Sequence, residues 1–146
     1  MNPDDLFNVA NPTALLGWLA LLLAPLAPRV TDLIAAQIIP LLLAVAYTGL
    51  ILAYWSGATG GYGSLPDVMA LFTNPHIALA GWVHYLAFDL FIGAWAVRTA
   101  RAEGISHLLT LPHLGLIFLF GPAGFLTFHA MRAAFRLRVP NNGASA

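Results

Sequence analysis

The chain has 146 residues, 60% of them hydrophobic and only 8% charged; its six arginines balance its six acids, so net charge is zero. A soluble domain carries about 25% charged residues, so this chain cannot clothe a globule in polar surface, and its solvent is expected to be lipid. Neutrality argues against a nucleic-acid partner, and the absence of cysteine excludes disulfides, thiol catalysis and cysteine-held metals.

No Asp, Glu, Lys or Arg lies between Asp5 and Arg29, Asp32 and Asp67, or Glu103 and Arg132, and Asp89 alone interrupts the run from Asp67 to Arg98. Each run can supply the roughly 20 apolar residues that cross a hydrocarbon core. Backbone groups in lipid must be satisfied within the chain, so helices are expected. The fold class is therefore all-α: a polytopic membrane protein.

The first segment runs from about Phe7 to Leu26, with Asn8 and Asn11 near its start and Pro25 and Pro28 at its end. The N-terminus is acidic and lacks the positive start of a secretory signal, so this segment is expected to be retained. The second runs from about Leu33 to Trp55, and the turn-forming stretch Ser56 to Ser64 follows it. The third runs from about His76 to Ala100, with Asn74 as cap and Pro75 at the first helical position. The fourth runs from about His107 to Phe128 and is interrupted by Gly121-Pro122. Arg132 and Arg136 then share one face of a helical continuation. Residues 1–138 are expected to form one transmembrane domain, and 139–146 a disordered tail.

Four spans are the expected arrangement, yet they divide the arginines three against three and leave orientation undetermined. The alternative is three spans with a broken, re-entrant fourth segment at Gly121-Pro122. That arrangement places all six arginines opposite Asp4, Asp5 and Asp67.

Asp89 is the most informative residue, a carboxyl deep in the third segment with no nearby cation on a span. Placing it there costs roughly 2.5–3.5 kcal/mol, and such groups are usually functional or paired. His84 lies five residues earlier, about 140° around the helix, so the two can share a wide cleft but not one stripe. Tyr85, Asp89 and Gly93 do share a stripe. His113 follows Pro112, where a locally open helix lets it face a polar cavity, and Asn11 is a candidate to point its amide into the bundle. No two histidines stand three or four apart, so no metal site is expected from one helix face. Two histidines from different helices, His84 with His113, remain a candidate haem or quinone pair.

Leu71-Phe72-Thr73-Asn74-Pro75 and the run Ala80 to Gly93, with its core Trp82-x-His84-x-x-x-x-Asp89-Leu90, resemble the abscisic acid-deficient protein 4 family. Phe120-Gly121-Pro122-Ala123-Gly124 is similar to that family's last-helix motif. Phe7 to Pro12 with Gly17-Trp18 is similar to its first segment. The resemblance spans nearly all of residues 6–130. It implies a four-helix membrane protein of carotenoid metabolism, associated in plants with neoxanthin formation. With no transit segment, the chain is expected to be a bacterial relative in the cell inner membrane.

Opening a xanthophyll epoxide to an allene needs an acid and a base but no cofactor. The resemblance thus implies an isomerase with Asp89 as acid and His84 as base. Trp82, Tyr85, Phe88 and Phe91 would be walls for the polyene, alongside His113 and Asn11. The alternative is a non-catalytic membrane subunit that binds carotenoid or a partner enzyme. A homo-oligomer would bury a long polyene more readily than a single chain.

Overall fold

The computed structural model describes residues 2–138, which fold into helices joined by short turns. The tail expected to be disordered, 139–146, lies outside the described residues. Helix α1 spans Pro3–Leu22, α2 Pro28–Leu33, α3 Ile39–Tyr54, α4 Leu65–Leu71, α5 Pro75–Ala102 and α6 His107–Arg138. A π-helical turn at Ile34–Ile38 joins α2 to α3. Pro40 has no N–H to give the preceding turn, and the widened turn fits that loss. Three stretches are long and apolar enough to cross a membrane: Pro28–Gly57, Pro75–Ala102 and His107–Leu137.

Local chemistry sets the ends. Asn2 accepts from the Asp4 N–H at 3.1 Å, and Pro3 opens α1. Asn74 accepts from the N–H groups of His76 and Ile77, with Pro75 at the first position, as expected from the sequence. At the other end of α5, Gly104 takes a φ of +69°. The Ile105 N–H then bonds the Ala100 carbonyl and the Gly104 N–H the Arg101 carbonyl, a left-handed glycine stop. The short helix α4 was not anticipated in the loop after α3. Ser64 caps it, and the N–H of Gly61 bonds back to Asp67 O at 3.3 Å.

Helix α5 is the spine, with Val83, Leu90 and Ala96 fully buried. Helix α3 runs antiparallel to it, because Asp32 meets Arg101 at 2.9 Å at one end and Tyr54 stacks on His76 at the other. Helix α1 runs parallel to α5, with Trp82 bonded to Asn11 near their starts and Trp18 packed on Gly93 further along. A Cβ on Gly93 would lie 2.9 Å from the Trp18 ring, so the glycine admits the indole.

Four spans are not confirmed, because α6 is broken at the Gly121-Pro122 interruption expected from the sequence. Phe120 and Gly121 have non-helical backbone angles. His113 Nδ1 lies 3.0 Å from Thr127 Oγ1, fourteen residues on, where a straight helix would separate them by about 21 Å. Glu103, which precedes α6, forms ion pairs with Arg132 and Arg136 in its last turns. A Cβ on Gly124 would lie 2.6 Å from the Ile117 Cα. The segment is therefore a helical hairpin with arms 107–119 and 122–138, bent where the sequence reads Gly-Pro. The first arm, about 20 Å long, is shorter than a hydrocarbon core of about 30 Å.

Candidate functional site

The hairpin tip lands on Asp89, midway along α5. A Cβ on Gly121 would lie 2.5 Å from Asp89 Oδ1, so only glycine lets the bend close over the carboxyl. Asp89 is 7% exposed, and its Oδ2 has no hydrogen-bond partner. A buried polar atom without a partner is uncommon and calls for an explanation in ligand, proton or water.

Beside the carboxyl is a cavity of about 330 Å³, lined by Asn11, Ala14, Leu15 and Trp18 from α1, Trp82, Tyr85, Leu86 and Asp89 from α5, and Phe118 and Leu119 from the hairpin. Two parallel helices each contribute an i, i+3, i+4, i+7 set, the spacing that puts four side chains on one face. Leu15 and Leu119 are exposed, so the cleft opens sideways where a bilayer would be.

The polar rim is fixed. Tyr85 donates to the Phe118 carbonyl at 2.9 Å, which satisfies a backbone group next to the break. Trp82 Nε1 donates to Asn11 Oδ1 at 3.0 Å, and Asn11 Nδ2 donates to the Phe7 carbonyl at 2.8 Å. Asn11 is thus spent on holding Trp82 in place. A slightly larger cavity, about 350 Å³, lies at the arginine end, but its polar side chains are engaged: Arg101 with Asp32 and His107 with the Leu22 carbonyl.

Of the residues expected to form the site, the structure brings together Asp89, Tyr85, Trp82 and Asn11. It does not bring His84 to them. His84 lies on the α3 side of α5, against Tyr47 and Phe88, and lines a different cavity. Phe88 and Phe91 line a third cavity with α3. His113 bonds Thr127 and ties the hairpin arms rather than facing the cleft. His84 and His113 therefore cannot clasp one haem or quinone between them. Trp18, Phe118 and Leu119 are added; Trp18 was reachable from Asn11 by the same helical spacing. Among the described residues, no group of three or more His, Cys, Asp or Glu is placed to hold a metal.

A buried carboxyl facing a hairpin tip, within helices apolar enough for a bilayer, defines a membrane protein with a polar site inside an apolar shell. The chain belongs to the ABA DEFICIENT 4-like (ABA4-like) family, whose model it matches over residues 5–128. No curated protein and no solved structure matches it.

Proposed function

We propose that this protein modifies an oxygenated carotenoid within the membrane, with Asp89 as the group that delivers and recovers a proton. The observation that carries the reading is the unpartnered Oδ2 of a carboxyl 7% exposed, beside an apolar cleft open to lipid. A buried carboxyl oxygen with no partner is costly as an anion and, in its protonated form, offers an O–H. Its O–H then seeks an acceptor in the cleft, and an epoxide oxygen on an otherwise apolar ligand meets that need. Family membership supports the carotenoid class.

For a xanthophyll epoxide the step balances without a cofactor. The Asp89 proton passes to the epoxide oxygen as its C–O bond breaks. A proton then leaves the adjacent polyene carbon, whose C–H electrons form the new double bond of the allene. That proton returns to the Asp89 carboxylate, so the ligand is isomerised and the acid restored. One carboxyl fills both roles because His84 stands on the other side of α5. The cleft holds one end ring, with the rest of the polyene lying along the exposed rim at Leu15 and Leu119.

The same reading gives the topology. In it α2 through α3 and α5 cross the membrane, α1, 20 residues and so about 30 Å long, is taken as a third span on its length alone, and α6 is re-entrant. Arg29, Arg98 and Arg101 then stand at one end with Arg132 and Arg136, and Asp4, Asp5 and Asp67 at the other. The positive-inside rule puts the arginine end in the cytoplasm.

The contact of Asp89 with Gly121 favours a second reading, in which the carboxyl only seats the hairpin. Expression in a host that accumulates epoxy-carotenoids, with pigments compared by chromatography, separates the two. The proposal expects a new isomeric pigment with the wild type and none with Asp89→Asn at equal membrane abundance. An unchanged pigment profile with both proteins contradicts catalysis.

A further inference from the structure

On the opposite side of α5, a second set of residues is arranged around His84. The imidazole lies about 14 Å along α5 from Pro75, within the level of a hydrocarbon core. It is exposed, its ring contacts are Phe88 at 4.6 Å and Tyr47 at 5.5 Å, and no hydrogen bond to it is found among the described residues. An ionisable side chain at that depth ordinarily faces a partner or a cavity. Here it faces a cavity of about 260 Å³ between α3, α4 and α5.

That cavity is a cup of flat rings. Trp55 and Tyr62 lie 5.2 Å apart on one wall, and Phe72 lies on another. A Cβ on Gly81 would come within 2.7 Å of the Phe72 ring, so this glycine lets Phe72 close the base. The loop that carries Tyr62 is shaped rather than slack: Gly60 has φ +100°, and Ser64 Oγ is 2.7 Å from Asp67 Oδ2. Beyond Phe88, whose ring stacks on His84, the same α3–α5 seam holds a separate cavity of about 270 Å³ lined by Ala36, Pro40, Leu41, Ala44, Ala87 and Phe91, and the two together are read as one groove. Its length along α3, from Ala36 to Trp55, is about 28 Å.

We infer that this groove is a binding site for a prenylated quinone. The planar, oxygen-bearing ring sits in the cup of Trp55, Tyr62 and Phe72, one ring oxygen accepts a hydrogen bond from His84, and the isoprenoid tail follows Phe88 and Phe91 along α3. Flat aromatic walls suit a planar ring better than the puckered ring of a carotenoid. The apolar groove suits an unbranched path for a tail, and the single imidazole supplies the orienting polar contact of a largely apolar site. The site binds; no electron transfer is assigned to it. It shares no residue with the Asp89 cleft, so its failure leaves the proposed function standing, and the reverse holds too.

The test uses the full chain in phosphatidylcholine nanodiscs, titrated with decylubiquinone while tryptophan fluorescence is followed. Saturable quenching is expected, most of it lost in Trp55→Phe. His84→Phe, which keeps the ring and removes the donor, should weaken binding about tenfold, and His84→Gln, which retains a donor, should recover to within about threefold of wild type. Tyr62→Leu, at a residue 76% exposed and so harmless to folding, should also weaken binding. Non-saturable quenching, equal affinity in His84→Phe, or displacement by an equal concentration of zeaxanthin would each overturn the assignment. So would a dimer whose interface closes the groove and abolishes binding.

Discussion

His113 Nδ1 and Thr127 Oγ1 stand 3.0 Å apart across the two arms of one helix. With the Thr127 hydroxyl donating to the Gly124 carbonyl at 3.1 Å, the contact is a hydrogen bond from the imidazole in the tautomer that carries its proton on Nδ1. The bond joins the arms within the apolar bundle. It holds the Gly-Pro bend shut over Asp89, because an opened hairpin would expose the non-helical backbone at Phe120 and Gly121 to lipid.

Loss of this tie should loosen the hairpin. Thr127→Val and His113→Phe are each expected to destabilise the protein by about 1 kcal/mol. The double variant should cost little more than either single one, since both remove the same bond. Thermal unfolding in detergent reads the coupling; simple additivity of the two would mean the bond is not formed.

Gly121→Ala places a methyl against the Asp89 carboxyl, and overpacking of this kind costs about 1–3 kcal/mol. In an Asp89→Ala background the same change should cost clearly less, because the opposing oxygens are gone. A double-mutant cycle on melting temperature measures this. Equal penalties in the two backgrounds would separate the hairpin tip from Asp89.

Glu103 holds Arg132 and Arg136, and the bond from Arg132 chiefly lowers its pKa from the ordinary 4.5 to about 2. A depressed carboxylate pKa stabilises the fold above the unfolded value and loses that contribution as pH falls through the folded one. The closed hairpin should therefore weaken as pH drops from about 4.5 towards 2. Proteolysis of the second arm as a function of pH should show a step in that window, and Glu103→Gln should abolish it. A step of unchanged size in the variant would assign it to another group.

Trp82→Phe removes the indole bond to Asn11 while keeping an aromatic wall. A loss of about 1 kcal/mol is expected, with ligand affinity reduced because the ring is no longer anchored. Equal affinity in a carotenoid-binding titration would show that Trp82 does not position the ligand.

Much of this was legible in the sequence. The charge-free runs marked the helices, Asn74-Pro75 marked the start of α5, and Asp89 stood out because a lone carboxyl in an apolar helix is costly. The even split of arginines across four spans already favoured a re-entrant fourth segment, which gathers all six on one side, but length and apolarity alone favoured a span, since hydropathy is the same for a straight helix and one folded at its middle. The pairing of His84 with Asp89 rested on nearness in sequence and on the family resemblance. Five residues turn a helix by about 140°, and that rotation sends His84 to α3 while Asp89 meets α1 and the hairpin. The Asn11, Ala14, Leu15, Trp18 face was present as a spacing, but nothing in one helix says which neighbour it meets. The pairing of α1 with α5 is a tertiary fact.

The hairpin is tested most directly by where its last turn emerges. The natural chain has no cysteine, so single cysteines at Tyr62, Gly104 and Leu137 can be probed in sealed vesicles with a membrane-impermeant maleimide. The account predicts that Gly104→Cys and Leu137→Cys react from one side and Tyr62→Cys from the other. Labelling of Leu137→Cys from the same side as Tyr62→Cys would mean that α6 crosses the membrane, and the closed site over Asp89 would go with it.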